Sequence, residues 1–274
     1  MIVFDANTWV GRWPFAFLPS HTPRSLAAHL RRCGIRRALV SPLDAALAPA
    51  PGPATRELLR TTRSVAALVP VPVLNPALAD WRDELAAMAA DPRVRAVRVL
   101  PNYHHYRLRA GAMHDLALEL ARRQLGLIVQ VRLIDERHEF HALRLKGVPV
   151  ADLDQFLAQH PRLRVLACGL TRPELFALAP KHPKLLADLS FVEWHDTLRD
   201  ALAKVSRRQL VFGSHTPFFI TAASQAKLNT SDLNPRLLGQ IAAGNLDRFI
   251  ERSGGQPWRG RRRSGRSTHR PSPG

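Results

Sequence analysis

The sequence predicts an α/β fold, a single (β/α)8 TIM barrel over residues 1–252. Short apolar runs alternate with stretches of helical periodicity along this region, and eight such pairs in about 250 residues match the size of a closed parallel barrel. The runs are apolar throughout, which is typical of strands buried on both faces. A doubly wound open sheet is the alternative, but the sequence lacks the glycine-rich phosphate turn that usually follows its first strand.

The first four strand–helix units occupy residues 2–123. Pro23 suits the start of the first helix, and Gly34 follows its end, where glycine commonly terminates helices. Asn75 and Pro76 form a turn signal that closes the third strand. The predicted strands are 2–5, 37–41, 65–74 and 94–100, and the helices that follow them are 23–33, 55–63, 80–90 and 113–123.

The last four units occupy residues 125–251. The fifth strand is followed by a long charged loop, residues 132–146, and loops of that length in barrels tend to be functional. Leu153, Phe156 and Leu157 share one face of the helix after it. The predicted strands are 125–131, 163–167, 185–191 and 210–212, and the helices that follow them are 150–160, 173–178, 197–205 and 235–251.

Residues 253–274 are predicted to form a disordered basic tail. The segment contains almost no apolar side chains, so ordering it would cost backbone entropy without burying surface. Its arginines contribute to a formal net charge of +18. The tail could contact nucleic acid nonspecifically. The chain has no recognisable nucleic-acid-binding motif that would make such contact its function.

The remaining composition indicates a cytoplasmic protein. The two cysteines cannot form a disulfide framework, and the first residues lack the charged segment of a secretory signal. No run of about 18 apolar residues could span a membrane. A homo-oligomer is compatible with these features.

Four segments carry a family resemblance. VFDANTWVG, AVRVLPNYHHY and LVFGSHTPF include the ends of the first, fourth and eighth strands, and IAAGNLDRFI belongs to the last helix. In this order and spacing they resemble the amidohydrolase-related family of metal-dependent hydrolases and decarboxylases. The resemblance spans nearly the whole chain before the tail. It implies a TIM barrel whose active site lies at the C-terminal ends of the strands.

The resemblance also places the family's metal ligands on other residue types. The first-strand histidines fall on Asn7 and Trp9, the fifth-strand and sixth-strand histidines on or near Gln130 and Cys168, and the eighth-strand aspartate on His215. Tryptophan cannot bind zinc, and amides are weak neutral donors. We therefore expect no metal ion and no other cofactor.

Several residues at the predicted strand ends are candidates for a site that works without the metal. His215 is the candidate general base, because a neutral imidazole can accept a proton near neutral pH. Asp5 is the second candidate catalytic residue. Arg132 could hold a carboxylate through two hydrogen bonds. The candidate substrate-binding residues are Asn7, Trp9, Tyr103, His104, Gln130 and Arg132.

These residues give two functional hypotheses, both with a small molecule bound at the C-terminal face. The first is a hydrolase acting without a metal on a small anionic substrate, such as a lactone, an amide or a carboxylated compound. The second is a catalytically inactive barrel used for ligand or partner binding. A pocket closed by Trp9 and Phe15 would favour the second. An open pocket lined by His104, Arg132 and His215 would favour the first.

Overall fold

The computed structural model describes residues 1–19, 21–135 and 145–251, and these contain eight strands paired in parallel. The predicted tail lies outside the described residues, as do residues 136–144 of the predicted loop. The strands are β1 (Phe4–Val10), β2 (Arg37–Pro42), β3 (Leu68–Pro70), β4 (Ala96–Val99), β5 (Gly126–Gln130), β6 (Val165–Cys168), β7 (Leu186–Asp188) and β8 (Leu210–Val211).

Backbone hydrogen bonds join the strands in a ring. Strands β1–β3 and β4–β8 form two continuous arcs. The N–H of Arg98 in β4 donates to the carbonyl of Pro72, just after β3, at 2.7 Å. The N–H groups of Ala6 and Trp9 in β1 donate to residues 212 and 216, just after β8, each at 2.9 Å. The order of the ring confirms the predicted (β/α)8 barrel.

A helix follows each strand along the chain. The helices are α1 (Pro23–Arg32), α2 (Gly52–Thr61), α3 (Trp81–Ala89), α4 (Gly111–Arg122), α5 (Val150–Gln159), α6 (Arg172–Leu178), α7 (Thr197–Leu202), α8 (Thr221–Asn229), α9 (Pro235–Gly239) and α10 (Asn245–Ile250), with a π-helical turn at Gln240–Gly244 between the last two. Among the described residues, no helix has both the length and the apolar character needed to cross a membrane.

The end of the chain differs most from the prediction. The sequence does not predict α8, because its residues TAASQAKLN form no continuous apolar face. The helix predicted over residues 235–251 is divided by the π turn into α9 and α10. Phe249 of α10 packs against Gly126, the first residue of β5. The divided helix therefore closes the barrel at the N-terminal ends of the strands.

An extra residue in β1 sets which of its side chains enter the barrel. Between Asp5 and Thr8, β1 has one residue more than the paired segment of β2. Such a bulge interrupts the in–out alternation of a strand. Phe4 accordingly packs in a buried apolar cluster with residues of the other strands. Asn7 and Trp9, further along β1, contact Arg98 instead. The bulge thus brings polar side chains to the centre of the barrel.

Candidate functional site

A buried arginine side chain lies at the centre of the candidate site. Arg98 of β4 is fully buried, and its Nη1 donates to Asn7 Oδ1 and to Gln130 Oε1, both at 2.9 Å. Its guanidinium carbon is 4.3 Å from the centroid of the Trp9 ring. Burial lowers the pKa of Arg98 from its ordinary value, and nearby Cys168 and acidic groups oppose the shift. The guanidinium is therefore a cation enclosed by two amides and an aromatic face.

Asn7 connects this arginine to the far side of the barrel. Its Oδ1 also accepts from Trp9 Nε1 at 3.1 Å. Its Nδ2 donates to Asp188 Oδ2 at 3.0 Å and lies 2.9 Å from His215 Nδ1. The amide thus uses two donor and two acceptor positions. We call Asn7, Trp9, Arg98, Gln130, Asp188 and His215 the central network.

The partners of His215 define its tautomer. Its Nε2 lies 2.6 Å from the Leu133 carbonyl, which can only accept, so Nε2 carries a proton and donates it. Burial lowers the pKa of His215 to about 3, and Arg98 contributes in the same direction. Nδ1 therefore accepts from Asn7, and both ring nitrogens have partners. For His215 to accept a proton from a substrate, its hydrogen bond with Asn7 would have to break.

Asp188, at the end of β7, is a central residue that the sequence analysis did not select. Its Oδ1 accepts from the Gly169 N–H at 2.8 Å, and its Oδ2 accepts from Asn7 and, at 2.6 Å, from Ser190 Oγ. Burial raises the pKa of Asp188, although these donors and Arg98 oppose the shift. A Cβ on Gly213 would lie 2.5 Å from Asp188 Oδ2, so a glycine is needed there. The position of Asp188 at a strand end was the available signal.

Asp5 lies next to the central network without a hydrogen bond to His215. Its Oδ1 accepts the backbone N–H groups of Asn7 and Ser214, at 3.0 and 2.9 Å, and its Oδ2 has no hydrogen-bond partner. Burial raises the pKa of Asp5 to about 7, against the lowering effect of Ser214 and the backbone N–H groups. Its visible role is to hold the bulge of β1 beside β8.

The guanidinium of Arg132 is occupied by partners within the protein. It donates to both carboxylate oxygens of Glu174 at 2.6 and 2.8 Å, and to the Gly169 carbonyl at 2.6 Å. Glu174 also closes the capping box at the start of α6. Although burial opposes the shift, the bond with Arg132 lowers the pKa of Glu174. In this conformation Arg132 joins β5 to α6 rather than facing a ligand.

Tyr103 and His104 follow β4, and Tyr103 belongs to the same buried apolar cluster as Trp9. Tyr103 packs edge-on against Trp13, with ring centroids 6.3 Å apart. His104 Nε2 lies 3.0 Å from the Ala45 carbonyl, while its Nδ1 has no hydrogen-bond partner. Burial lowers the pKa of His104, so its imidazole is neutral at neutral pH. The structure therefore joins Asn7, Trp9 and Gln130 to His215 through hydrogen bonds, and Tyr103 is linked to this group through apolar packing around Trp9.

The donor set does not fit a divalent metal ion. Within the described ranges, no three His, Cys, Asp or Glu side chains are grouped so that they could hold one. The oxygens of Asn7 and Gln130 already accept from a cation, Arg98. Burial raises the pKa of the Cys168 thiol well above its ordinary value, whereas a metal ligand must be a thiolate.

Comparison with solved structures identifies the class of barrel. The 5-carboxyvanillate decarboxylase from Sphingomonas paucimobilis matches with a TM-score of 0.69 and 12% identity, over 92% of this chain and 99% of that one. A putative amidohydrolase from Staphylococcus aureus matches with a TM-score of 0.68 and 8% identity, over 91% and 99%.

A second 5-carboxyvanillate decarboxylase, from Novosphingobium aromaticivorans, was solved with bound manganese and 3-methoxy-4-hydroxy-5-nitrobenzoic acid. It matches with a TM-score of 0.67 and 9% identity, over 91% of this chain and 97% of that one. No protein-family model matches the chain, and no curated protein matches its sequence. The fold is that of the amidohydrolase-type TIM barrels, as the sequence motifs predicted.

Proposed function

We propose that this chain is a metal-free amidohydrolase-type barrel that binds a small aromatic ligand at its C-terminal face. The observation that carries the proposal is the position of Arg98. Its guanidinium bonds to Asn7 and Gln130, at or near which the resemblance places metal-binding histidines. Both lone pairs of Asn7 Oδ1 accept hydrogen bonds, and Gln130 Oε1 already accepts from a resident cation, so these oxygens suit a metal ion poorly.

Binding rather than metal-dependent hydrolysis is favoured by the closed floor of the site. Trp9, Arg98, Gln130 and His215 are fully buried, and the hydrogen bonds of His215 leave no nitrogen for a substrate. A hydrolytic metal site, by contrast, keeps a coordination position open for water. In this binding function the central network supports the mouth of the barrel.

Aromatic side chains at the mouth favour a planar ligand. The Trp13 ring centroid lies 5.4 Å from that of Phe15 and 5.6 Å from that of Phe218, and Phe218 stacks on His215 at 5.2 Å. Phe15 is 43% exposed at this mouth. Such rings stack on aromatic compounds. Carboxylated aromatics are the first candidates, because the decarboxylases of the same fold act on them.

The test combines metal analysis with a binding titration. We expect less than about 0.1 equivalents of zinc, manganese or iron, because the donor set suits no divalent ion. We also expect saturable binding of 3-methoxy-4-hydroxy-5-nitrobenzoic acid, weakened by Phe15→Ala. Leu118→Ala, on the exposed face of α4, is the control. Stoichiometric metal would overturn the proposal of a metal-free site. Equal affinity of the Phe15→Ala and Leu118→Ala variants would show that the aromatic mouth does not bind the ligand.

Catalysis without a metal is the second candidate function, on a lactone, an amide or a carboxylated substrate. The favouring observation is a pair of buried carboxyl groups, Asp5 and Asp188, whose pKa values are both raised. A carboxyl group with a raised pKa can act as a general acid. Turnover that Asp188→Asn abolishes in a folded protein would favour this function. Turnover unchanged in Asp5→Asn, Asp188→Asn and His215→Asn would exclude these groups as its proton carriers.

A further inference from the structure

A second candidate site lies at the opposite end of the barrel from the aromatic mouth. It is an open cavity of about 620 Å³ between the segment before β8 and the final helices. Arg207 and Arg208 come from that segment, Arg236 from α9 and Arg248 from α10. Because residues before a strand lie at its N-terminal end, the cavity is remote from the central network.

The arginines of this cavity are not neutralised by carboxylates. Within the described ranges, none of the four forms an ion pair, and Arg248 donates only to the side-chain oxygen of Asn245. The neighbouring acid, Asp247, is bound to Arg37 at 2.7 Å instead. Four cationic groups around one space repel each other, and an anion between them would remove that repulsion.

Two glycines keep the space between the arginines open. Gly239 and Gly244 flank the π turn and have ordinary helical φ angles of −61° and −60°, so their conformation does not require glycine. An added Cβ on Gly239 would meet nothing within 4 Å, and one on Gly244 would meet nothing closer than 3.8 Å. Glycine inside a helix costs about 1 kcal/mol relative to alanine. Neither backbone strain nor crowding explains these residues, whereas access for a ligand does.

We propose that this cavity binds a small anion bearing a diphosphate or triphosphate group. Arginine forks donate paired hydrogen bonds to phosphate oxygens. Four such groups match the three or four negative charges of a diphosphate or triphosphate near neutral pH. A volume of about 620 Å³ lies within the usual range for small-ligand sites, about 300–1,000 Å³.

Titration calorimetry of the full chain with inorganic pyrophosphate tests the proposal. The double variant Arg236→Glu/Arg248→Glu should raise Kd by about tenfold or more, since losing one charge-assisted hydrogen bond alone corresponds to about a tenfold change. The matched control is Arg12→Glu/Arg24→Glu, which changes the net charge equally at two exposed arginines near the C-terminal end of β1. The control should change Kd by less than about threefold, because exposed charges at a distance are screened by salt.

A charge-neutral variant separates binding from folding. Gly239→Leu should fill the opening and weaken pyrophosphate binding, while stability stays equal or rises because leucine favours helix more than glycine. Absence of wild-type binding at millimolar pyrophosphate would overturn the proposal. So would equal losses in the cavity and control variants, which would indicate nonspecific attraction. If a single-stranded oligonucleotide binds through these arginines and pyrophosphate does not bind, the small-anion proposal is wrong.

Discussion

Replacing Asp5 by asparagine should change how the stability of the fold depends on pH. The pKa of this buried carboxyl is raised from 3.8 to about 7. The folded protein therefore holds the proton more tightly than the unfolded chain does. It follows that Asp5 stabilises the fold at low pH, and that this contribution is lost as the pH rises through 7. Asparagine can keep the two backbone hydrogen bonds through its carbonyl oxygen, but it does not titrate.

The size of the effect follows from the two pKa values. Between pH 5 and pH 8, the wild type should lose about 2.6 kcal/mol of unfolding free energy through Asp5 alone, at about 1.4 kcal/mol for each pKa unit. The Asp5→Asn protein should not show this loss. His215 adds the same pH dependence to the stability of both proteins, so its contribution cancels in their difference.

Urea unfolding at pH 5, 6, 7 and 8 measures that difference. The free energy of unfolding of Asp5→Asn, minus that of the wild type, should rise by about 2.6 kcal/mol across the series, most of it between pH 5 and 7. Asp83→Asn, an exposed substitution on α3, is the matched control and should give a flat difference. Parallel profiles for wild type and Asp5→Asn would refute the account of Asp5 as a buried group with a raised pKa.

Three further predictions concern the charged and polar groups of the site. Arg98→Met should lower the unfolding free energy by about 3 kcal/mol or more, because the buried acceptors lose their donor. Urea unfolding measures this loss, and a loss below about 1 kcal/mol would contradict the central network. Nitrogen NMR should show His215 protonated at Nε2 and uncharged from pH 5 to 8, and an imidazolium signal at pH 6 would contradict its assigned partners. A double-mutant cycle on Arg132→Met and Glu174→Gln should give a coupling of about 1–3 kcal/mol in unfolding free energy, whereas zero coupling would free Arg132 for a ligand.

The sequence allowed the location of the site to be predicted better than its chemistry. Parallel strands end at one face of a barrel, so Asn7, Gln130 and His215 were expected near one another, and they are connected through hydrogen bonds. The central position of Arg98 was not expected. The sequence does not reveal which residues will accept hydrogen bonds from a charged side chain inside an apolar strand. Its acceptors come from other strands, and one of them depends on the bulge in β1.

Arg132 shows how a partner distant in the sequence bears on a predicted role. A basic residue just after a strand looks available to an anionic ligand. The sequence cannot show that Glu174, 42 positions later, turns back from the first turn of α6 to bind it. The division of the last helix was unpredictable for a similar reason. Its apolar spacing continues through Gln240–Gly244, and only the backbone hydrogen bonds distinguish a π turn from an α-helix.

The charges of the central network balance one another. Arg98 contributes one positive charge and faces Asp188 through Asn7. His215 is neutral near neutral pH, because burial lowers its pKa to about 3. The buried centre therefore pairs one guanidinium with one carboxyl group.

This charge balance predicts that an aspartate at position 215 should be harmful. His215→Asp would bury a second carboxylate near Asp188 without another cation, and we expect it to be about 3 kcal/mol less stable than His215→Asn at pH 8. His215 has a φ of 56°, a conformation that Asn and Asp both tolerate, so the pair of variants isolates the charge. The difference should shrink toward pH 4, because burial raises the pKa of the introduced carboxyl and protonation neutralises it. Equal stability at pH 8 would show that the centre accepts another negative charge, and this result would contradict the charge balance.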